Sequence, residues 1–467
     1  MNALLFALLV TVPGAADDDA PNVLLILADD LGYGDVGAFN SDSKIATPNL
    51  DTFAETALRL TDAHSSASWC IPTRYSILTG RFPIGLDTSD RDRAVIADGL
   101  ATLPGTLAAA GYATSMVGKW HLGFSEGEAS YKDGDAADLI GGPVDRGFAR
   151  YFGIPRSLDI PPYYTIRDRS PVGPLVDSVG DANSEGWSKI QGEFWRAGKM
   201  TDGFRHVDIT PQCATESLAE LKRLTEQDQP WFHYLALPSP HTPWVPTDEW
   251  AGKSEVPLYG DFMEQVDDVI GRVIAAAGDD TLVIVTSDNG PVWYEDDNAK
   301  YGHCAAGGFR GMKGDAWEGG HRVPMMVRWT GHIEPGTTDA LWNHADFFAT
   351  IAAAAGIDVA ESAIDSVNQL PHWQDRSGEP PRTQMVQQSS RKFHSIRNGQ
   401  WKYIPALGSG GFTKPSRRQP AIDESPFQLY DLATDPGERT NLAVEQPEVL
   451  QQMQTLYDEL MAGRLPN

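Results

Sequence analysis

Asn22-Val23-Leu24-Leu25-Ile26-Leu27-Ala28, followed at once by Asp29-Asp30, sets the fold class. A continuous apolar run of this length, partly β-branched, suits a strand covered on both faces in a parallel sheet. It ends in two adjacent carboxylates, at the strand end where open α/β sheets hold their ligands. Side by side they repel unless a cation or a basic group compensates them. Asp35, beside Gly34, reads instead as a turn acid. The same grammar returns at Thr281-Leu282-Val283-Ile284-Val285-Thr286, which runs into Ser287-Asp288-Asn289-Gly290. Two buried strands far apart in the chain, both tipped with Asp or Asn oxygens, predict that Asp29, Asp30, Asp288 and Asn289 meet. Such a set suits a hard cation, Ca²⁺ or Mg²⁺, and no His or Cys pair has zinc spacing.

A second stretch, Ser68-Trp69-Cys70-Ile71-Pro72-Thr73-Arg74, leads into a short helix. Cys70 then stands at a positive helix N-terminus with Arg74 one turn on, a setting that lowers a thiol pKa and welcomes an anion. The alternative is an inert buried cysteine. A strand over 112–117 finishes in Gly118-Lys119-Trp120-His121, whose Lys119 and His121 share a face in extended chain. Another buried strand, 231–237, empties into Pro240-His241-Thr242-Pro243, and Lys313 sits in the glycine-rich Arg310-Gly311-Met312-Lys313-Gly314. Glycines let backbone approach a ligand, and the lysine supplies charge.

The 467 residues carry 64 acidic against 37 Lys and Arg side chains, a net charge of −27. This excludes the basic footprint of a nucleic-acid binder, so an anionic substrate needs a local positive island. An apolar run over 3–12, then Pro13-Gly14-Ala15-Ala16, reads as an export signal at 1–16, too short to span a bilayer. No cysteine follows it, so no lipid or membrane anchor is expected, and the chain is expected in the periplasm or outside the cell. Of three cysteines, Cys213 and Cys304 read as small buried residues, a single bridge between them being the alternative. Helices are expected over 48–58, 103–110, from Thr210-Pro211 onward, and over 262–278. Between 125 and 208 regular pattern is lost, as in loops that act as lids or insertions. Within it, Ser157 to Tyr164 is apolar enough to pack over a cleft. After about Gly356 the texture changes to a β-hairpin around Asn398-Gly399, a partner strand near 427–432 and a helix over 447–462. The expected architecture is α/β: a large, mostly parallel central sheet flanked by helices over 17–356, plus a small antiparallel subdomain with a terminal helix over 357–467.

Residues 20 to about 330 resemble the type I sulfatases of the alkaline-phosphatase-like superfamily. Ala28-Asp29-Asp30-Leu31-Gly32-Tyr33-Gly34-Asp35, Cys70-Ile71-Pro72-Thr73-Arg74 with Leu78-Thr79-Gly80-Arg81, and Gly118-Lys119-Trp120-His121-Leu122-Gly123 occur in order. Pro240-His241-Thr242-Pro243, Ser287-Asp288-Asn289-Gly290, Gly311-Met312-Lys313-Gly314 and Trp317-Glu318-Gly319-Gly320 follow. The tail Leu429-Tyr430-Asp431-Leu432, with Asp435-Pro436-Gly437-Glu438, is similar to that family's C-terminal subdomain. Thr73 stands where Ser is commoner, and the loops over 125–208 match less well.

The resemblance implies hydrolysis of sulfate monoesters, on a sulfated small molecule or glycan, and changes what Cys70 is. In that family the cysteine is converted during export, by a formylglycine-generating maturation enzyme, to an aldehyde that hydrates to a diol. Carried over, Asp29, Asp30, Asp288, Asn289 and the converted Cys70 hold one Ca²⁺, ahead of Mg²⁺. Arg74 holds the diol; Lys119, His241 and Lys313 bind sulfate and protonate the leaving alcohol; His121 takes the proton that releases sulfate. Two alternatives stand beside this. One is a phosphonate or phosphate ester hydrolase on the same fold, since both esters are tetrahedral oxyanions. The other is a non-catalytic binder of sulfated glycans with Cys70 unmodified.

Overall fold

The computed structural model describes residues 20–90, 93–135, 137–359 and 364–464. The export signal expected at 1–16 lies outside the described residues. Asn22–Asp29 is a strand, and it is central. It pairs in parallel with Thr281–Ser287 on one side and Trp231–Pro240 on the other, and Ala113–Lys119 and Arg150–Ile154 continue the parallel block. Val23, Leu25 and Leu27 enter one core cluster and Leu24, Ile26 and Ala28 another, so successive residues feed opposite faces. The first face packs on Cys70–Thr79, Leu103–Ala109 and Asp346–Ala354, the second on Pro48–Glu55, His206–Thr225 and Tyr259–Ala277. Among the described residues the sheet has ten strands and turns antiparallel toward its edges, at Met325–Arg328 and Ile166–Arg167.

The expected α/β architecture is the one observed, with local departures. Arg150–Ile154, inside the stretch read as irregular, is a sheet strand. Gly153 interrupts its apolar pattern for a reason: a Cβ there would lie 1.7 Å from the Gly118 carbonyl oxygen of the neighbouring strand. The helix expected from Thr210-Pro211 begins at His206 and takes Pro211 inside. At the sixth helical position Pro211 removes one backbone hydrogen bond, to the carbonyl four residues back, and the helix is held by its buried face, Ile209, Cys213, Ala214, Leu221 and Leu224. Cys213 and Cys304 are both free thiols, the first buried as expected and the second only partly so.

The second sheet runs Gln384–Gln388, His394–Asn398, Trp401–Ile404, Gln428–Asp431, antiparallel throughout. Its first strand escaped the sequence because three of five residues are glutamines. Pro447–Met461 covers it, placing Met453 and Met461 against Val386, Ile396 and Tyr403. A buried ionic network joins the two sheets. Lys402 Nζ reaches Glu318 Oε1 at 3.0 Å and Glu438 Oε1 at 2.9 Å, and Arg397 Nη1 reaches Asp62 Oδ1 at 2.7 Å. No helix among the described residues is long and apolar enough to cross a membrane.

Two carboxylates on one lysine cannot both be relieved. Burial, with the Glu318 charge adding to it and Lys402 opposing, pushes Glu438 up to about 7. Its folded pKa exceeds the unfolded one, so the folded chain binds more protons between about pH 4.5 and 7, and stability falls as pH rises through that window. Glu438→Gln is expected to flatten that fall, on the order of a few kcal/mol. Denaturant midpoints at pH 5, 6 and 7 for both proteins check it.

Candidate active site

Four neighbouring strands deliver the site from their carboxyl ends. In sheet order, Thr281–Ser287 leads to Asp288 and Asn289, Asn22–Asp29 to Asp29 and Asp30, Trp231–Pro240 to His241, and Ala113–Lys119 to Lys119 and His121. Cys70 is the first residue of the helix Cys70–Thr79, which closes on Gly80 in the left-handed region (φ 65°). The chain just before it is held from two sides: Ser68 N–H donates to Gln388 O (2.9 Å), and Gly314 N–H to Ser68 O (2.6 Å). The second contact ties the Cys70 segment to the loop that carries Lys313. Thr73 Oγ1 donates to Ala67 O at 2.9 Å, a bond that a serine hydroxyl would also make.

Asp29, Asp30, Asp288 and Asn289 do meet, at no more than 3% exposure each. Asp30 N–H donates to Asp288 Oδ1 (3.3 Å), and Asn289 Nδ2 donates to Asp30 Oδ1 (2.6 Å). Arg74 lies across the cluster. Its Nε and Nη2 donate to Asp288 Oδ2 at 3.1 and 2.9 Å, Nη2 to Asp29 Oδ2 at 3.3 Å, and Nη1 to Lys119 O at 2.9 Å. Lys119 Nζ bonds Asp29 and Lys313 Nζ bonds Asp30. Asp35 stays apart as a turn acid, accepting from Gly32 N–H (2.7 Å).

Cys70 Sγ is 3.5 Å from Asp29 Oδ1 and 3.3 Å from Lys313 Nζ. The expectation of a lowered thiol pKa is overturned: burial, then the charges of Asp288 and Asp29, push it far up, against Lys119 and Lys313. One helix terminus cannot outweigh two carboxylates in a dry site. Burial and the positive Lys119 and Arg74 hold His121 well below its ordinary value, so its imidazole is neutral. His241 Nδ1 bonds Thr242 O at 2.6 Å, which leaves Nε2 for the site, 3.8 Å from Asp30 Oδ2.

Two observations test whether a cation fits among the acids. Asn289 Oδ1 is buried with no hydrogen-bond partner. Asp288, despite two bonds from Arg74, is still pushed up, by burial first and then by Asp29. An orphaned hard oxygen beside under-compensated carboxylates is what a divalent cation relieves. Asp29, Asp30, Cys70 and His241 each bring one side-chain atom within 4.8 Å of the others, so His241 borders the cluster.

The cleft above Cys70 holds about 340 Å³, lined among others by Trp69, His121, Asp159, Arg196, His241 and Lys313. Ser157 and Ile160 line it too, as the aromatic loop suggested. Arg196, Ser390 and Phe412 were not foreseen, because none sits at a strand end.

A sulfatase family model matches residues 21–357. The chain belongs to the sulfatase family. It is 30% identical to an N-acetylgalactosamine-6-O-sulfatase of Bacteroides thetaiotaomicron, over 94% of this chain and 93% of the relative. It is 33% identical to human arylsulfatase A, over 98% and 91%. A solved sulfatase from work on glycosaminoglycan metabolism in Bacteroides thetaiotaomicron superimposes with a TM-score of 0.82 at 28% identity, covering 95% of this chain and 99% of that one. This sulfatase is therefore an enzyme that hydrolyses sulfate esters.

Replacing Arg74 by Ala leaves Asp288 and Asp29 without their bridging charge. Loss of one partner from a buried ionic group costs about 3–5 kcal/mol. Arg74→Ala is expected to lose that much in denaturant unfolding, and aryl sulfate turnover by roughly a thousandfold or more.

Proposed function

We propose that this sulfatase releases sulfate from a sulfated carbohydrate outside the cytoplasm, using Cys70 after its conversion to formylglycine. The convergence of Asp29, Asp30, Asp288 and the partnerless Asn289 Oδ1 on Cys70 carries the proposal. These residues, with the converted Cys70, are the ones to hold Ca²⁺; a cation there would neutralise sulfate oxygens and acidify a hydroxyl beside it. A hydrated formylglycine would supply an oxygen nucleophile and a second hydroxyl, where the thiol is inert because burial and two acids hold it protonated.

The chain's own groups divide the remaining work. Arg74 offsets part of the charge of Asp288 and Asp29. Lys119 and Lys313, already beside the acids, bind sulfate oxygens and stabilise the charge that spreads over them as the ester bond breaks. His241, with Nδ1 tied to Thr242, presents Nε2 to protonate the departing alcohol, since an alkoxide leaves poorly. His121, held neutral, accepts the proton of the second hydroxyl as sulfate departs. The export signal at 1–16 and a maturation enzyme acting on Cys-x-Pro-x-Arg belong to the same proposal. A glycan substrate is supported by the N-acetylgalactosamine-6-O-sulfatase relative.

Cys70→Ser is expected to fold and to lose aryl sulfate turnover by at least roughly a thousandfold. Faster turnover of aryl phosphate mono- or diesters than of aryl sulfate by the wild type would assign the site to the phosphate alternative. Asp288→Ala is expected to lose bound calcium, read by elemental analysis, together with most activity. Full activity in excess chelator would contradict the metal assignment.

A further inference from the structure

Beyond Cys70 the cleft carries polar groups that ester hydrolysis leaves unused. Asp159 is 5% exposed and sits on the loop after Arg150–Ile154, in the long insertion that precedes Trp231–Pro240. Arg196 clamps it: the two side chains form an ion pair through Asp159 Oδ2, Arg196 Nη1 donates to the Asp159 carbonyl at 3.1 Å, and Arg196 N–H donates to it at 3.2 Å. The other carboxylate oxygen, Oδ1, is buried with no hydrogen-bond partner. Trp69 Nε1 and Ser390 Oγ are in the same condition, and all three residues line the cleft that contains Cys70 and His241. Ile71, Ile160, Ile190, Val292 and Phe412 make up most of its apolar share.

Buried polar atoms without partners are rare, and each costs about 1–3 kcal/mol. Three of them, an acceptor, a donor and a hydroxyl, on side chains that line one cleft with Cys70, select what a ligand must offer. An aryl group would cover the apolar side chains and leave Asp159 Oδ1 unpaired. A pyranose offers a C–H face to the apolar side chains and hydroxyls to the polar atoms. Resting on the assignment of this cleft to sulfate ester hydrolysis, we propose that Asp159 is a specificity-determining residue. Its Oδ1 accepts a hydrogen bond from a hydroxyl of the sugar that bears the sulfate, and Arg196 holds the carboxylate in place.

The test compares kcat/KM for monosulfated N-acetylhexosamines, for their singly deoxygenated analogues, and for 4-nitrophenyl sulfate. Asp159→Asn is expected to lower the ratio of sugar sulfate to aryl sulfate kcat/KM by roughly tenfold to a hundredfold, the worth of a hydrogen bond to a charged group. In the wild type, removing one particular sugar hydroxyl is expected to cost the same factor, and in Asp159→Ala to cost nothing. The deoxygenated analogues also test the wild type alone, should neither variant fold. An equal fall on both substrate classes, or no deoxygenated analogue that differs from its parent in the wild type, would overturn the proposal. Hydrolysis of aryl sulfate but of no sugar sulfate by the wild type would overturn it while leaving the sulfatase assignment intact; a preference for phosphate esters would remove both.

Discussion

Three carboxylates share a space that water barely enters, and the site is built around keeping them charged. Asp29, Asp30 and Asp288 reach it from the ends of adjacent parallel strands, so the register of the sheet forces them together. Arg74, Lys119 and Lys313 answer them with three positive charges, each arriving from a different segment. The match leaves Asn289 Oδ1 orphaned and Asp288 pushed up, a deficit of positive charge at one spot. The same deficit decides the chemistry open to Cys70. A thiol there faces Asp288 and Asp29 and stays protonated, so a nucleophile at that position has to be something other than a thiolate.

How much of this could be read from the chain follows from where each residue sits. Strand-end residues were legible because a buried strand announces itself as an apolar run and its end as the first polar residue. That logic found Asp29, Asp288, Lys119 and His241, and the sheet brought them together. The thiol's electrostatics were misread because a helix N-terminus is visible in sequence, whereas the opposing acids are 41 and 218 residues away. Gly153 hid a strand for a similar reason: the carbonyl that requires it belongs to a neighbour. Arg196, Ser390 and Phe412 carry no local signal, since cleft walls are made by whichever loops the fold happens to bring near.

The C-terminal sheet contributes to the site through backbone as well as through its own core. Gln388 O receives the Ser68 N–H two residues before Cys70, and Ser390 and Phe412 help to wall the cleft. Lys402, buried between Glu318 and Glu438, pins that sheet to the segment following Lys313. The two sheets therefore hold the Cys70 segment between them, and the loops over 125–208 close the remaining side, where Asp159 and Arg196 stand.

The proposed conversion of Cys70 to an oxygen nucleophile is the central claim. Its most direct test is the mass of the tryptic peptide from Leu60 to Arg74, taken from active enzyme exported by its native host. The expected mass is that of formylglycine, as aldehyde or hydrate, in place of cysteine. An unmodified cysteine in protein with full sulfate ester turnover would contradict it.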